Sequence, residues 1–498
     1  MSLKKLAGET AIYGVSSIVG RLLNFLLVPL YTDVFPTGEY GIVSHLFAIG
    51  AMTMVFFTYR MELAYFRFGT ENKEEEHQSF NAAALSIAIT TLFFGIILFA
   101  FAPFIANTFG YANYDYLVRL LICIIMIDAI CEIPYAKLRL EQRPIRFASI
   151  RLSAILIALG LNLFFLLFCP YALQSDSWSF LHSFLELIYY DEFKLAYIFI
   201  SNLIGNSIAL LLLSSTLFSI RIRDFSSDTW RKMFNYALPL VVVGIAYLMN
   251  ETFDRVMMPI WLEGTLEERQ SQIGIYAACY KLTMFLTLFT QAFRYGAEPF
   301  FFRQKTTENA KETYANVAKF FSIIGAIGFL SVLLYLDLLK HLLRNEEYWV
   351  GLGVVPILLL ANLFLGIYYN LSIWYKLTDQ TKWGAYISVL GALITIVLNF
   401  IFMPTYGYMA AAWTTFICYF TMMVISYWLG QRKYPVPYEV GKISVYIIAA
   451  VGMYGLSELV RPSLNENLWA ILGVNTLILL LYLSIIYGQE RKVIRQFF

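Results

Sequence analysis

A few ionisable residues lie where a strongly apolar sequence should not hold them. Arg21 sits about 15 residues into the first long apolar run, roughly 22 Å along a helix. A charge at that depth is costly and faces a cavity or a partner. Its guanidinium can hold a phosphate or a carboxylate through two parallel hydrogen bonds. Lys281 lies about ten residues into another apolar run, with the small residues Ala277 and Ala278 on its face. Glu251 shares a helix face with Asp254 and with Arg255. In a low-dielectric site such carboxylates can exchange a proton or bind a cation; the plainer reading is a solvated helix end. Asp128 and Glu132 form a second pair, and Lys137 or Arg139 on the same helix would neutralise them.

Two further groups sit where apolar runs end. Arg60, Glu62 and Arg67 are one, Arg294, Glu298 and Arg303 the other, and Glu62-x4-Arg67 parallels Glu298-x4-Arg303. They read either as anchors with local Glu–Arg pairs or as ion pairs that gate a cytoplasmic mouth. No Gly-rich Lys-Ser/Thr phosphate loop and no His-Glu-x-x-His motif occurs, so no cofactor or metal is expected. His45, inside an apolar run, reads as a packing residue. The five cysteines all lie in apolar runs, without the spacing of a disulfide framework or a zinc site.

The elements that must position these residues follow from composition. Of 498 residues, 59% are hydrophobic and 14% charged, and the mean hydropathy is +0.65. Soluble domains carry about 25% charged residues, so a soluble multidomain enzyme is excluded. A net charge of +2 without a basic stripe excludes a nucleic-acid binder. What remains is an all-α polytopic membrane protein. Runs of about 20 apolar residues predict some fourteen spans, near 6–31, 40–59, 80–106, 116–137, 147–170, 194–219, 234–261, 272–300, 314–336, 350–374, 383–403, 407–430, 441–460 and 467–487. Pro404 to Gly407 separates the eleventh from the twelfth. With the N-terminus in the cytoplasm, about three-quarters of the 36 Lys and Arg fall in alternate loops and the tail. That predicts both termini inside, in the cytoplasmic (inner) membrane. The first run lacks a small-residue cleavage site and reads as an uncleaved anchor. No external loop exceeds about 25 residues, which argues against a membrane glycosyltransferase.

An internal repeat is visible. Arg21, Asn24, Pro29 and Tyr31 match Glu251, Asp254, Pro259 and Trp261 in order. Glu39-Tyr40-Gly41 matches Gln272-Ile273-Gly274, and Glu141-Gln142 with Asn162 matches Asp379-Gln380 with Asn399. The offsets are about 230 to 238 residues, six helices, so the halves share an orientation. The predicted organisation is two six-helix lobes, 1–219 and 234–430, related by pseudo-two-fold symmetry, with two extra helices and a cytoplasmic tail in 441–498. Transporters place substrate between such lobes.

The sequence also resembles the polysaccharide-biosynthesis exporters, lipid-linked oligosaccharide flippases of the multidrug/oligosaccharidyl-lipid/polysaccharide superfamily. The resemblance rests on Gly8-Glu-Thr-Ala-Ile-Tyr13, Gly20-Arg21-Leu-Leu-Asn24-Phe25, Pro29-Leu-Tyr-Thr32, Glu39-Tyr40-Gly41, Ile133-Pro-Tyr-Ala-Lys137 through Glu141, and Tyr236-Ala-Leu-Pro239. It implies twelve to fourteen helices, alternating access, and an undecaprenyl-diphosphate-linked oligosaccharide moved from the cytoplasmic to the outer leaflet. Membrane lipids are implied partners, with polysaccharide polymerase machinery downstream. Peptidoglycan-precursor flippases and drug or cation antiporters share the fold, so fold alone does not choose the substrate.

Under that resemblance, Arg21, Asn24 and Lys281 are the expected substrate contacts, the cations meeting the diphosphate. The alternatives stay open: Arg21 paired with Glu251 or Asp254, and Lys281 with a nearby carboxylate. Glu251 and Asp254 are the expected ion-coupling residues. A cationic drug would want carboxylates without cations beside them, which ranks the antiporter reading lower.

Overall fold

The computed structural model describes residues 3–69, 73–304, 307–464 and 467–497. Among the described residues there is no β-strand. In a lipid environment the polar backbone has no water to bond, and a helix satisfies its own N–H and C=O groups.

The helices that matter here are α1 (Leu3–Phe25), α2 (Leu27–Val34), α3 (Thr37–Thr58), α4 (Met61–Phe68), α5 (Lys73–Ala100), α6 (Asp115–Leu140), α7 (Pro144–Leu163), α8 (Ser179–Ile188) and α9 (Lys194–Leu212). They continue with α10 (Ser227–Trp261), α11 (Leu266–Leu282), α12 (Met284–Gln304), α13 (Ala310–Leu334), α14 (Val354–Leu371), α15 (Lys382–Tyr406), α16 (Tyr408–Lys433), α17 (Val440–Val460) and α18 (Leu468–Phe497). Among the described residues, 12 helices are long and apolar enough to cross a membrane, and the bent pair α11–α12 raises the number to 13. α6, 26 residues long, fills the place of the fourth expected span. Arg119, Asp128 and Glu132 place three charges within it.

Several spans are interrupted, each for a local reason. α3 gives way to α4 through two consecutive left-handed residues, Tyr59 (φ 34°) and Arg60 (φ 57°), a conformation non-glycine side chains resist. α15 runs through Pro404 and stops at Gly407, whose φ of 59° and ψ of −147° suit glycine. α11 and α12 meet at a 51° bend. There the hydroxyl of Thr283 donates to the Tyr280 carbonyl at 2.7 Å, a back-bond that bends helices.

The chain forms two compact units, Met1–Gly274 and Ile275–Phe498. In the first, α9 packs on α7 and α6, α1 on α7, and α3 on α10 and α6. A core of Cys131, Leu138, Phe147, Ile150, Ala154, Ala209 and Leu213 ties α6, α7 and α9 together, with Tyr13 of α1 against it. In the second, α14 and α15 pack on α16, and α13 packs on α14, α17 and α18. Many large apolar side chains, such as Phe93, Ile96, Phe104, Phe400 and Trp469, point outward, as a lipid-facing surface requires.

Two repeat-related turns close alike. Before α7, Gln142 is left-handed (φ 55°) and the Arg143 N–H reaches back to the Leu138 carbonyl at 2.9 Å. Before α15, Asp379 is left-handed (φ 56°) and the Gln380 N–H reaches the Tyr375 carbonyl at 2.8 Å. Both are Schellman closures. Asn162 and Asn399, which follow at the same spacing, are both wholly buried.

Candidate functional site

Arg21 and Asn24 lie on α1 three residues apart, so they share a face. Both are exposed. The neighbouring Gly20 turns toward α7, where a methyl group would come within 2.7 Å of Ile155 Cδ1. Among the described residues Arg21 lies within ion-pair distance of no carboxylate. Lys281 is half-buried in the last turn of α11, immediately before the bend at Thr283.

α3 and α11 cross at glycine. A methyl group on Gly41 would sit 2.0 Å from the Gln270 carbonyl oxygen, and one on Gly274 would sit 1.9 Å from that of Thr37. Thr37 and Ser271 share a hydroxyl hydrogen bond of 2.7 Å across the crossing. One turn further along α3, His45 is fully buried. Its Nε2 bonds the Val256 carbonyl of α10 at 3.1 Å and its Nδ1 faces the Tyr111 hydroxyl at 2.8 Å. Both ring nitrogens are occupied, so His45 serves packing.

Further along α10, Asp254 is buried and Glu251 half-buried. The Arg255 backbone N–H donates to Asp254 Oδ1 at 2.7 Å, and its guanidinium reaches the Glu251 carbonyl oxygen at 2.7 Å. Pro259 offers no N–H to the Arg255 carbonyl. The three charged residues thus sit in a polar stretch of a mostly apolar helix.

Arg60 and Glu62 do not stand at a free helix end, because the helix resumes as α4 and continues to Phe68. Arg60 Nη1 lies 3.5 Å from Glu62 Oε1, and its guanidinium fills the space over Gly244 of α10, where a methyl group would come within 2.5 Å of Nε. Glu62 is 7% exposed and its Oε2 has no hydrogen-bond partner among the described residues. The Glu132 carboxylate acts on it from α6. Glu132 in turn pairs with Arg139 at 3.5 Å, one of the two partners its spacing predicts. Asp128 is held by Asn206 Nδ2 at 2.8 Å, a partner on α9 that no local spacing announces. Arg67 is exposed. Arg294 lies over the Tyr369 ring at 4.9 Å. The side chains of Glu298 and Arg303 lie outside the described residues.

The second unit holds two features the sequence does not announce. One is an apolar groove of about 320 Å³ between α13, α14, α16 and α17, lined by Phe364, Leu371, Tyr427, Ile443 and Ile447. The other is a buried ion cluster. Lys319 of α13 meets Glu439, at the foot of α17, and Glu490 of α18, 3.4 Å away. Glu490 also accepts from the Tyr446 hydroxyl at 2.7 Å.

Residues 6–289, more than half of the chain, match the family described as polysaccharide biosynthesis protein. The chain belongs to that family. No curated protein matches its sequence. Its fold is similar to that of "Lipid II flippase MurJ, inward closed conformation", with a TM-score of 0.70 and 15% identity over 96% of this chain and 99% of that one. It is also similar to an inward-facing multidrug resistance MATE family transporter of the MOP superfamily, with a TM-score of 0.57 and 13% identity over 89% of this chain and 96% of that one. An outward-facing transporter of that family gives a TM-score of 0.54 at 13% identity, over 88% of this chain and 96% of that one. At these identities the likeness shows the fold. The family member is therefore an all-α, multi-pass membrane protein of the flippase and transporter fold.

Proposed function

We propose that this chain is a flippase. It carries a prenyl-diphosphate-linked oligosaccharide from the cytoplasmic to the outer leaflet of the cytoplasmic membrane, with both termini in the cytoplasm. The observation that carries this reading is Arg21. It is an exposed guanidinium in the middle of the span Tyr13–Val34, with no carboxylate paired to it among the described residues. A cation kept at that depth without a partner is matched by an anionic group on a cargo, and diphosphate oxygens suit it. Asn24 supplies amide donors on the same face. Lys281, beside the bend of α11 and α12, is the second cation.

The family's link to polysaccharide synthesis and the likeness to a lipid II flippase both favour a lipid-borne sugar as cargo. The apolar groove of the second unit suits a prenyl chain. The lobes are assigned to 1–219 and 234–430, with 441–498 added. Glu251 and Asp254 are the coupling residues, a half-buried and a buried carboxylate on one face of α10. Arg60 and Glu62, with Arg67, Arg294, Glu298 and Arg303, form the cytoplasmic gate. No chemistry on the sugar is assigned to the chain; a polymerase acts on its product. The transporter fold also admits a multidrug or cation antiporter, which Arg21, without a carboxylate partner among the described residues, disfavours.

The test is reconstitution in liposomes with a fluorescent prenyl-diphosphate oligosaccharide. The wild type moves the probe across the bilayer, and Arg21→Ala and Lys281→Ala slow it at least tenfold. Unchanged movement in both variants removes them from the site. Transport of an organic cation but not of the lipid-linked sugar establishes the antiporter instead.

A further inference from the structure

The connection between the fifth and sixth spans contains a short helix with two opposed faces. In α8, Phe180, Phe184 and Leu187 recur at i, i+4 and i+7 and form one stripe. They are 74%, 55% and 70% exposed. The opposite stripe is docked on the protein. His182 Nε2 donates to the Ala172 carbonyl at 2.9 Å, and Leu185 is 1% exposed. Beyond the helix, Tyr189 stacks on Tyr197 with ring centres 5.3 Å apart. The Tyr197 hydroxyl donates to the Ile188 carbonyl at 3.2 Å and accepts from the Tyr190 N–H at 2.7 Å. The helix is thus fixed in place with its apolar stripe directed away from the protein.

Its level in the membrane follows from its flanks. The preceding span ends at Gln174 and the following one begins at Asp191. Ten residues of helix rise about 15 Å, half of the ~30 Å hydrocarbon core, so α8 cannot cross it. It lies where two spans leave the membrane, and the ends of those spans expose the apolar side chains of Leu167, Tyr171 and Phe193. Trp178 and Tyr190 flank it, residue types that settle at the headgroup boundary. Glu186 on another face is exposed.

We infer that α8 is an interfacial helix whose Phe180, Phe184 and Leu187 side chains insert into the lipid leaflet at the exit of the fifth span. The segment 175–193 carries Asp176, Glu186, Asp191 and Glu192 and neither Lys nor Arg. Its attachment therefore rests on buried apolar area and not on attraction to anionic headgroups.

Spin labels decide this in the full-length protein reconstituted in liposomes. Phe184→Cys, Leu187→Cys and Glu186→Cys are labelled separately, with the labelled wild type as the baseline for the native cysteines. Labels at 184 and 187 should meet oxygen, which partitions into lipid, several-fold more readily than a water-soluble nickel complex. The label at 186 should show the reverse order. Neither pattern should change with salt or with the fraction of anionic lipid. Free access of nickel to 184 and 187 overturns the proposal. So does poor access of both reagents, since another protein surface would then cover the stripe. The two stripe positions are read independently, so one poorly folded variant does not remove the test.

Discussion

Gly41 and Gly274 lie backbone against backbone: a methyl group on either would meet the other helix's carbonyl oxygen at about 2 Å, that of Gln270 or of Thr37. The contact is reciprocal. One repeat offset takes Gly41 to Gly274 and Thr37 to Gln270, so each glycine faces the equivalent of the other's partner, as in an isologous interface. The obstructing atoms are backbone and cannot swing aside. Gly41→Ala and Gly274→Ala should each force α3 and α11 apart, at about 1–3 kcal/mol of overpacking. Thermal unfolding in detergent and liposome transport should both fall. Gly38→Ala, four ångströms or nearly so from its neighbours, is the control and should leave both unchanged.

The same crossing offers a covalent test of movement. Thr37 and Ser271 hydroxyls are 2.7 Å apart, close enough for paired cysteines to oxidise. If alternating access separates α3 from α11, the double variant Thr37→Cys/Ser271→Cys should lose transport on oxidation and regain it with reductant. Full transport by the cross-linked protein would show that this contact stays closed throughout the cycle.

Arg60 gives a contrasting case. Here a methyl group on Gly244 would meet the tip of a flexible side chain, 2.5 Å from Nε, which can move. Gly244→Ala should therefore leave the backbone packing of α10 in place. It displaces the guanidinium from Glu62, leaving that buried carboxylate beside Glu132 without its counter-ion. Transport should fall severalfold, and the uncompensated charge should lower the unfolding temperature. Glu62→Gln, which removes the buried charge, should restore part of the transport in the Gly244→Ala background. If the double variant is no better than Gly244→Ala, the pair is not what the substitution disturbs.

The helices were legible from the sequence because apolar length alone specifies them. The expected span 383–403 appears as Lys382–Tyr406, and 407–430 as Tyr408–Lys433. Of the turn expected at Pro404 to Gly407, Gly407 alone makes the break, and Pro404 lies inside α15. The interruption at Tyr59 and Arg60 was not legible, since neither residue favours a left-handed backbone. It sets Arg60 between the span Thr37–Thr58 and the short helix α4, and Glu62 in the first turn of that helix. Partners on the same helix could be anticipated, as for Glu132 and Arg139. Asn206, which holds Asp128, could not, because only the fold brings α9 to α6. Nothing local separates Lys319 from an exposed lysine.

Lys319 and Glu490 are each 3% exposed in their side chains, and together they fasten α18 to α13. Glu439 and Lys442 extend the cluster, so its formal charges balance. Lys319→Met removes the central cation and leaves Glu490 buried without compensation, a loss of about 3–5 kcal/mol. Glu490→Gln should cost less, because Lys319 keeps Glu439 and the amide still accepts from Tyr446. The double variant Lys319→Met/Glu490→Gln should be more stable than Lys319→Met alone, since no buried charge is left unpaired. Unfolding midpoints in detergent rank the three. Hydrogen bonds from Lys319 and then Lys442 hold the Glu439 carboxyl below the usual carboxylate range. Its contribution is therefore complete above a pH of about 4.3 and is lost only as pH falls through the depressed value. The wild type should hold α17 and α18 in place at pH 5, and Lys319→Met should loosen them already at pH 7. Hydrogen exchange across Val440–Val460 measures the difference, and equal protection in the two proteins would show that the cluster does not anchor these helices.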